Sequence, residues 1–264
     1  MEDIRDIIFK DILNQEFQAL LIPERKGCFS GVEDAFKQSK LIGVKLDLYL
    51  SEGETIEKGK PIGMVTARPK QIALAEEKII GMLSKFSGIA TAAKKAMDLS
   101  RGKMEIVSGS WKKMPPAIKD GIRTAILAGG ASFRITNDKM IYMDKNYIRM
   151  LGSIPKALDS VKNFKDHTKV IQIKGKKFSV REETEQALTN GCSLLMVDTG
   201  NLNDLIECSE TVKSMGLRNQ VKIAFAGGVK LDKIEELCNY DIDLLCIGKE
   251  IVDAQLLDIK LDVI

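Results

Sequence analysis

The sequence predicts a two-domain α/β protein, with an N-terminal α/β sandwich-like domain over residues 1–103 and a C-terminal parallel α/β barrel over residues 104–264. Its 264 residues suffice for two ordinary domains. The composition, 44% hydrophobic and 29% charged, is typical of a globular protein with a substantial core. From residue 104 onward, short β-branched runs alternate with helical runs, which indicates right-handed βαβ units and a parallel sheet.

The first 103 residues contain two hydrophobic patterns. Apolar residues follow helical spacing from Ile4 to Ile12, whereas residues 44–67 alternate apolar and polar side chains between glycine-containing turns. The predicted elements are a helix over residues 4–20, a strand and turn over 19–31, a helix over 32–41, a small antiparallel β unit over 44–67, and a long helix over 71–100. We expect the long helix to be interrupted, or closely packed, at Ser87-Gly88.

The barrel domain is predicted from six buried strands and the helices between them. The strands are Met104–Ser108, Lys139–Met143, Lys169–Ile173, Ser193–Val197, Val221–Ala226 and Asp243–Ile247, and the helices span residues 116–128, 153–164, 180–190, 202–215 and 230–239. Six such strands indicate a barrel that is closed or nearly closed, with its active site at the C-terminal strand ends. The last few residues of the chain are expected to pack back on the N-terminal domain.

Two glycine loops follow the last two predicted strands. Gly227 and Gly228 precede a predicted helix that begins near Leu231, and Gly248 with Lys249 follows the last strand. Glycines allow backbone N–H groups to approach an anion closely, and a helix N-terminus adds partial positive charge. The loops therefore predict a phosphate site, although the same glycines would also suit tight turns without a ligand.

A basic cluster near the first barrel strand is a second candidate site. Lysine suits phosphate as a point charge and arginine suits planar carboxylates, although a run of lysines is also typical of a solvated surface. The cluster consists of Lys112, Lys113, Lys119, Arg123 and Arg134.

Asp198 ends the predicted strand over residues 193–197. A carboxylate at this position can hold a ribose hydroxyl or a magnesium ion, or it can cap the following helix. Magnesium is therefore a possible cofactor, and we expect that no cofactor is tightly bound.

Other classes of site and of partner are disfavoured. The balance of 40 basic and 37 acidic residues, with 5% aromatics, argues against a nucleic-acid surface. No apolar stretch approaches the roughly 20 residues of a membrane helix, and the charged N-terminus lacks a signal-peptide core, so we expect a cytoplasmic protein. The five cysteines lack CxxC spacing and are expected to be reduced and buried; His167 is expected at the surface.

Several motifs resemble those of the quinolinate phosphoribosyltransferase family. The segment from Lys85 to Thr91 is similar to its Ser-Gly-Ile-Ala-Thr signature, and Ala226-Gly227-Gly228-Val229 is similar to its Ser-Gly-Gly-Ile. Further similarities, in consistent order over residues 16–264, are Gly53 to Gly59, Ala128-Gly129-Gly130 through Phe133-Arg134, Met143–Ile148, Leu195-Met196-Val197-Asp198 and Leu257-Asp258-Ile259. The short Gly-Gly-x-x-x-Arg spacing resembles that of the ModD-like sister group.

The resemblance implies a type II phosphoribosyltransferase fold and a role in nicotinate mononucleotide and NAD biosynthesis. Family members transfer a phosphoribosyl group from phosphoribosyl pyrophosphate to quinolinate with decarboxylation, assisted by magnesium, in a head-to-tail homodimer or a hexamer of dimers. By motif, the resemblance implies that Gly227 and Gly228 bind phosphate, and Gly248 and Lys249 join them through their place after the last strand. The implied substrate-binding residues are Lys112, Lys113, Arg134, Asp144 and Lys145. Asp198 is the implied ribose and metal residue, and Glu77 falls at the position of a subunit-lent arginine.

The chain departs from the family pattern at several positions where family members bind their ligands. Lys112 replaces an arginine, Phe133 and Tyr147 replace histidines, Asp144 replaces a lysine, and Glu77 replaces the lent arginine. The family's acidic Glu-Val-Glu strand falls at Gln172-Ile173-Lys174. These changes remove groups that would bind a dicarboxylate, pyrophosphate or metal-bound ribose.

Three functions follow from the match and its departures. The first is a phosphoribosyltransferase with a different, less acidic acceptor, and the second is a non-catalytic paralogue that binds a phosphorylated ligand. The third is a barrel enzyme that uses Lys174 as a Schiff-base lysine.

Overall fold

The computed structural model describes residues 3–264 of the chain. They divide into two compact units, each made of separate segments. The first unit comprises residues up to 95, 111–131 and 251–264, and the second comprises 96–110 and 132–250. The predicted domain boundary at residue 103, by contrast, was a single point in the chain.

The first unit is built around a four-stranded antiparallel sheet in the order β12-β1-β5-β3. A two-stranded pair, β2-β4, accompanies it. The strands are β1 (Phe17–Pro23), β2 (Gly27–Cys28), β3 (Lys45–Leu48), β4 (Thr55–Ile56), β5 (Gly63–Ala67) and β12 (Ile259–Val263). The C-terminal strand β12 pairs with β1, so the end of the chain lies in the first unit.

Five helices begin in the first 128 residues: α1 (Ile4–Ile8), α2 (Val32–Ile42), α3 (Pro69–Lys78), α4 (Ile80–Ser100) and α5 (Lys119–Ala128). The predicted helix over residues 4–20 is wrong beyond Ile8, whereas the strand predicted from residue 19 is confirmed. Residues 17–23 form β1 instead, because Ala19 and Leu21 alternate into the core of the sheet. Strand pairing on both sides of β1 overrides the local helical spacing.

The long predicted helix over residues 71–100 is two helices that meet at Ile79, so an interruption at Ser87-Gly88 is wrong. Gly88 lies inside α4, where an added Cβ would collide with the carbonyl oxygen of Gln255. The glycine therefore permits a close backbone approach, which was the other predicted role.

The second unit contains a six-stranded, all-parallel sheet in the order β6-β11-β10-β9-β8-β7. Its strands are β6 (Glu105–Val107), β7 (Met140–Met143), β8 (Thr168–Ile173), β9 (Leu194–Asp198), β10 (Lys222–Ala226) and β11 (Leu244–Cys246). The first strand pairs with the last, as in a barrel, while no ladder joins β6 to β7 within the described residues. All six predicted strands are confirmed, and the C-terminal domain is an α/β barrel open at one seam.

Helices connect these strands: α6 (Lys145–Leu151), α7 (Ile154–Asp159), α8 (Val180–Thr189), α9 (Leu202–Ser214), α10 (Ile234–Leu237) and α11 (Lys249–Val252). The predicted helices over 180–190 and 202–215 are confirmed. The predicted helix over 230–239 is a 3-10 turn, Leu231–Lys233, followed by the single turn α10. Helices α6 and α11 were not predicted, because each is short. Within residues 3–264, no helix combines the length and apolar character that a bilayer crossing demands.

Apolar side chains fill the concave face of the parallel sheet. They come from alternate strand positions and include Val107, Val170, Leu194, Met196, Ala224 and Leu244. Three of the five cysteines, Cys28, Cys192 and Cys208, are buried, and no disulfide joins any of the five within residues 3–264. Burial raises the pKa of Cys192 to about 12 and that of Cys208 to about 11, so these thiols stay protonated and inert.

An ion-pair cluster lies where α9 returns to the N-terminal edge of the sheet. Arg218 donates through Nε and Nη2 to Asp241 Oδ1, at 2.9 and 2.6 Å, and through Nη2 reaches Asp243 Oδ2 at 3.0 Å. Ser209 Oγ donates to Asp241 Oδ2 at 2.9 Å. The Arg218 guanidinium holds the pKa of the Asp241 carboxyl well below its usual range.

This cluster predicts a pH-dependent contribution to stability. Asp241→Asn should lower the free energy of unfolding at pH 7 by about 1–2 kcal/mol, measured by urea denaturation. Because the folded-state pKa is depressed, the contribution is fully present above the unfolded pKa of about 3.9 and is lost as pH falls through the folded value. The difference in the free energy of unfolding between wild type and Asp241→Asn should therefore become smaller below about pH 4. The exposed Asp253, changed to Asn, serves as the control; equal effects at both positions would contradict the prediction.

Candidate active site

The C-terminal ends of the parallel strands carry polar side chains on the concave face. Val170 and Met196 belong to the core of that face, and strand alternation places Gln172, Lys174 and Asp198 on the same side. The register of β8 against β9 pairs Ile173 with Val197, so Lys174 and Asp198 follow at the same level. The strand-end rule of parallel barrels therefore points to this group.

An ion pair joins Lys174 to Asp198. Lys174 Nζ lies 3.4 Å from Asp198 Oδ2 and also donates to the Asp198 carbonyl oxygen. The two side chains are 22% and 31% exposed, so water screens their attraction only partly. The ammonium of Lys174 therefore offsets the negative charge of Asp198.

Gln172 completes this network; it lies two residues before Lys174 and on the same face of β8. Its Nε2 donates to Asp198 Oδ2 at 2.6 Å, and its Oε1 accepts from the Lys145 backbone N–H at 2.8 Å. The side chain is only 8% exposed, and both ends of its amide are hydrogen-bonded. A glutamate here would place two carboxylates against each other, so the amide and Lys174 fit Asp198 together.

Glu183 supports the backbone that leads away from β8. Its Oε2 accepts from the N–H groups of Lys174 and Gly175 at 2.7 and 3.0 Å, and its side chain is buried. Sequence reasoning missed this residue. A signal was present, because Ser179 and Glu182 form a capping box that starts α8 and so places Glu183 in its first turn.

Tyr142 reaches the same face from β7. Burial and the neighbouring Asp198 carboxylate raise the pKa of its hydroxyl well above the ordinary value, so it remains protonated near neutral pH. A protonated phenol can donate a hydrogen bond, which makes Tyr142 another candidate donor at the strand ends.

The glycine loop after β10 has a geometry that only glycine permits. Gly227 and Gly228 have φ of 113° and 74°, and Gly200, with φ of 71°, packs directly against Gly227. An added Cβ at Gly227 or Gly200 would collide with the other's backbone, whereas one at Gly228 would meet open space. Gly228 therefore faces a region where a ligand can approach.

Backbone donors of both glycine loops are available. Among residues 3–264, no protein acceptor receives the N–H groups of Gly227, Gly228 or Gly248. The helix predicted over residues 230–239 is only a 3-10 turn and the single turn α10, so bare amides rather than a long helix dipole would attract an anion. Lys230 Nζ lies 2.6 Å from Glu250 Oε1, which ties the two loops together. Lys249 is exposed beside them.

The structure connects one of the remaining predicted residues of the second unit, Lys145, to this group. Asp144 caps α6, because its Oδ1 accepts from the N–H groups of Asn146 and Tyr147 at 2.8 and 3.1 Å. Lys145 is connected to the network through its backbone N–H, with its side chain exposed. Arg134 is also exposed.

Three predicted residues belong to the first unit. Lys112 and Lys113 are exposed at the end of the 3-10 turn Ser110–Lys113. In the same unit, Arg123 lies 4.6 Å from the centre of the Trp111 ring. Glu77, the position of the lent arginine, is ion-paired with Arg5 of α1.

The residues at the strand ends are poorly suited to a protein-held magnesium ion. Magnesium favours several oxygen ligands in octahedral geometry, but the Asp198 oxygen that faces the network already contacts an ammonium and an amide N–H₂. The part of the chain that the structure describes also holds no group of three His, Cys, Asp or Glu side chains that could share a metal.

Comparisons with known proteins agree with this architecture. Residues 6–87 match the model of the quinolinate phosphoribosyl transferase N-terminal domain, and residues 89–262 match that of its C-terminal domain. A probable nicotinate-nucleotide pyrophosphorylase (carboxylating) from Methanothermobacter thermautotrophicus is 21% identical over 267 residues, covering 98% of this chain and 95% of that protein. The human nicotinate-nucleotide pyrophosphorylase (carboxylating) is 24% identical over 223 residues, covering 83% of this chain and 73% of that protein.

Solved structures show the same fold. The nicotinate-nucleotide pyrophosphorylase of Francisella tularensis superposes with a TM-score of 0.81 at 18% identity, over 98% of this chain and 90% of that one. The nicotinate-nucleotide pyrophosphorylase of Pyrococcus furiosus superposes with a TM-score of 0.80 at 22% identity, over 99% of this chain and 74% of that one. Because both family models together account for nearly the whole chain, this protein belongs to the quinolinate phosphoribosyltransferase family.

Proposed function

We propose that this chain is a phosphoribosyltransferase of the nicotinate-nucleotide pyrophosphorylase type whose acceptor differs from quinolinate. Family membership and the available amides of Gly227, Gly228 and Gly248 support the binding of a phosphoribosyl donor. The ion pair of Lys174 with Asp198 carries the altered specificity, because it replaces the family's acidic strand with a neutralised network. Phosphoribosyl pyrophosphate is the proposed donor, in a cytoplasmic head-to-tail homodimer or a hexamer of dimers.

Each group at the strand ends has a role in such a transfer. The amides of Gly228 and Gly248 would hold the 5′-phosphate, and Asp198 Oδ1 would accept from a ribose hydroxyl. The bond from ribose C1 to the pyrophosphate oxygen breaks, and its electron pair leaves with pyrophosphate. Lys174 is the positive charge placed to stabilise that leaving group, while the acceptor nucleophile forms the new bond at C1.

Magnesium could supply further charge neutralisation if it enters with the donor's own phosphates. We assign it no ligand in this chain, because Asp198 is already engaged. The proposed steps depend on the amides, Lys174 and Asp198 alone.

A non-catalytic paralogue is the second candidate. The observation that favours it is the same ion pair, because a carboxylate held by Lys174 and Gln172 interacts less strongly with a developing cationic centre. This candidate predicts binding of a sugar phosphate without release of pyrophosphate. Schiff-base chemistry at Lys174 loses support, since an ammonium paired with a carboxylate has no lone pair to attack a carbonyl.

Gly228 provides a direct test of the phosphate loop. Gly228→Asp and Gly228→Asn are nearly isosteric, and both side chains tolerate the left-handed backbone, so they differ mainly in one negative charge. Calorimetry should show phosphoribosyl pyrophosphate binding to wild type, weakened at least about tenfold more by Asp than by Asn. No binding to wild type at millimolar donor, or equal effects of the two variants, would defeat the proposed phosphate site. Pyrophosphate release with a panel of acceptors then separates the enzyme from the non-catalytic paralogue.

Gln172 tests the neutralised network itself. Gln172→Glu should lower the free energy of unfolding at pH 7 by about 1–2 kcal/mol, because two carboxylates then face each other. The penalty requires both carboxylates to be ionised, so it should fade as pH falls toward the ordinary glutamate range of about 4.

The matched control for this change is Gln172→Met. It removes the hydrogen bonds without adding charge, so its effect should be nearly constant between about pH 7 and pH 5. Identical pH profiles for the Glu and Met variants, measured by urea denaturation, would show that Gln172 does not face an ionised Asp198.

A further inference from the structure

A cavity lies beside the strand-end network, where the C-terminal end of β8 meets the neighbouring helices. Its volume is about 220 Å³, and it is enclosed by α6, the start of α7, the loop after β8 and α8. Gln172 and Lys174 form its inner end. The glycine loops after β10 and β11 do not line it.

Basic side chains dominate the walls of this cavity. Lys145 and Arg149 come from α6, where a spacing of four residues places them on one face of the helix. Lys176 and Lys177 come from the loop after β8, and Lys174 completes the set. Lys174 is paired with Asp198. Within residues 3–264, no carboxylate forms an ion pair with the other four side chains, which are those of Lys145, Arg149, Lys176 and Lys177.

Glu183 is the one acidic residue among the residues that line the cavity. Its carboxylate oxygen Oε2 is already occupied by the backbone N–H groups of Lys174 and Gly175. The carboxylate is therefore committed to holding the loop, and it leaves the surrounding cations largely uncompensated. Like charges around one concave space repel one another, so this arrangement is explained best by a ligand that supplies negative charge.

The types and size of the groups narrow the ligand. Four lysines and one arginine present mostly point charges, which suit the tetrahedral oxygens of phosphate better than a planar carboxylate. The cavity is smaller than the roughly 300–1,000 Å³ of sites for drug-sized ligands, so a compact anion fits it.

We propose that this cavity, here called the basic pocket, is a second anion-binding site for a small phosphate anion with several charges, of the diphosphate class. Lys174 is shared between the basic pocket and the Asp198 network, which places the bound anion next to the strand ends. The site is separate from the glycine loops and does not depend on their role in the proposed function.

Calorimetric titration of the full chain with inorganic pyrophosphate tests the basic pocket. The double variant Lys176→Ala/Lys177→Ala should bind pyrophosphate about tenfold or more weakly than wild type, and added salt should weaken binding less steeply in the variant. The matched control, Lys58→Ala/Lys60→Ala, removes the same charge from two exposed lysines of the first unit and should bind like wild type. Circular dichroism checks that each variant is folded.

Two further measurements distinguish anion binding in the basic pocket from anion binding at the glycine loops. Gly228→Asp should weaken ribose 5-phosphate but still bind pyrophosphate in the basic pocket, whereas the Lys176/Lys177 variant should keep ribose 5-phosphate binding. The inference is overturned if wild type binds no pyrophosphate at millimolar concentration, if the lysine variant matches its control, or if Gly228→Asp alone abolishes pyrophosphate binding. Tighter binding of quinolinate than of pyrophosphate in this pocket would also overturn the phosphate assignment.

Discussion

The ion pair between Lys174 and Asp198 determines what the strand ends of the parallel sheet can bind. Parallel pairing of β8 and β9 places the two side chains at one level, and Gln172 fixes the same carboxylate from below. An isolated carboxylate at this position would attract a metal or a developing cation. Neutralised by lysine and amide, Asp198 keeps only part of that ability, and the positive charge of Lys174 shifts the preference of the site toward anions.

The backbone around this pair follows from a few steric constraints. Gly200 and Gly227 pack against each other with left-handed backbone, which brings the ends of β9 and β10 together more closely than any side chain would allow. Gly228 then remains open with its N–H unclaimed by protein acceptors of the described residues. The glycine loop after β10 and the Asp198 network therefore both follow from the close packing of β9 against β10.

Much of the fold could be predicted because its signals are local. Buried β-branched runs identified all six parallel strands, and the glycines after β10 and β11 identified the loops that carry free amides. Prediction failed where two local signals overlap: the helix predicted over residues 4–20 ends at Ile8, and the strand predicted from residue 19 already begins at Phe17, because it pairs there with β5. The Lys174–Asp198 pair depends on the register of two strands, and the basic pocket depends on the packing of α7 against α6 and α8; the sequence displays neither.

We expect Asp198 to remain paired with Lys174 when the site is occupied. A crystal structure of the protein with phosphoribosyl pyrophosphate and magnesium would reveal this pairing. We expect the 5′-phosphate on the amides of Gly228 and Gly248, with Lys174 still within ion-pair distance of Asp198 and no metal ligated by that carboxylate. A magnesium ion bound by Asp198, with Lys174 displaced from it, would rule out this pairing in the occupied site.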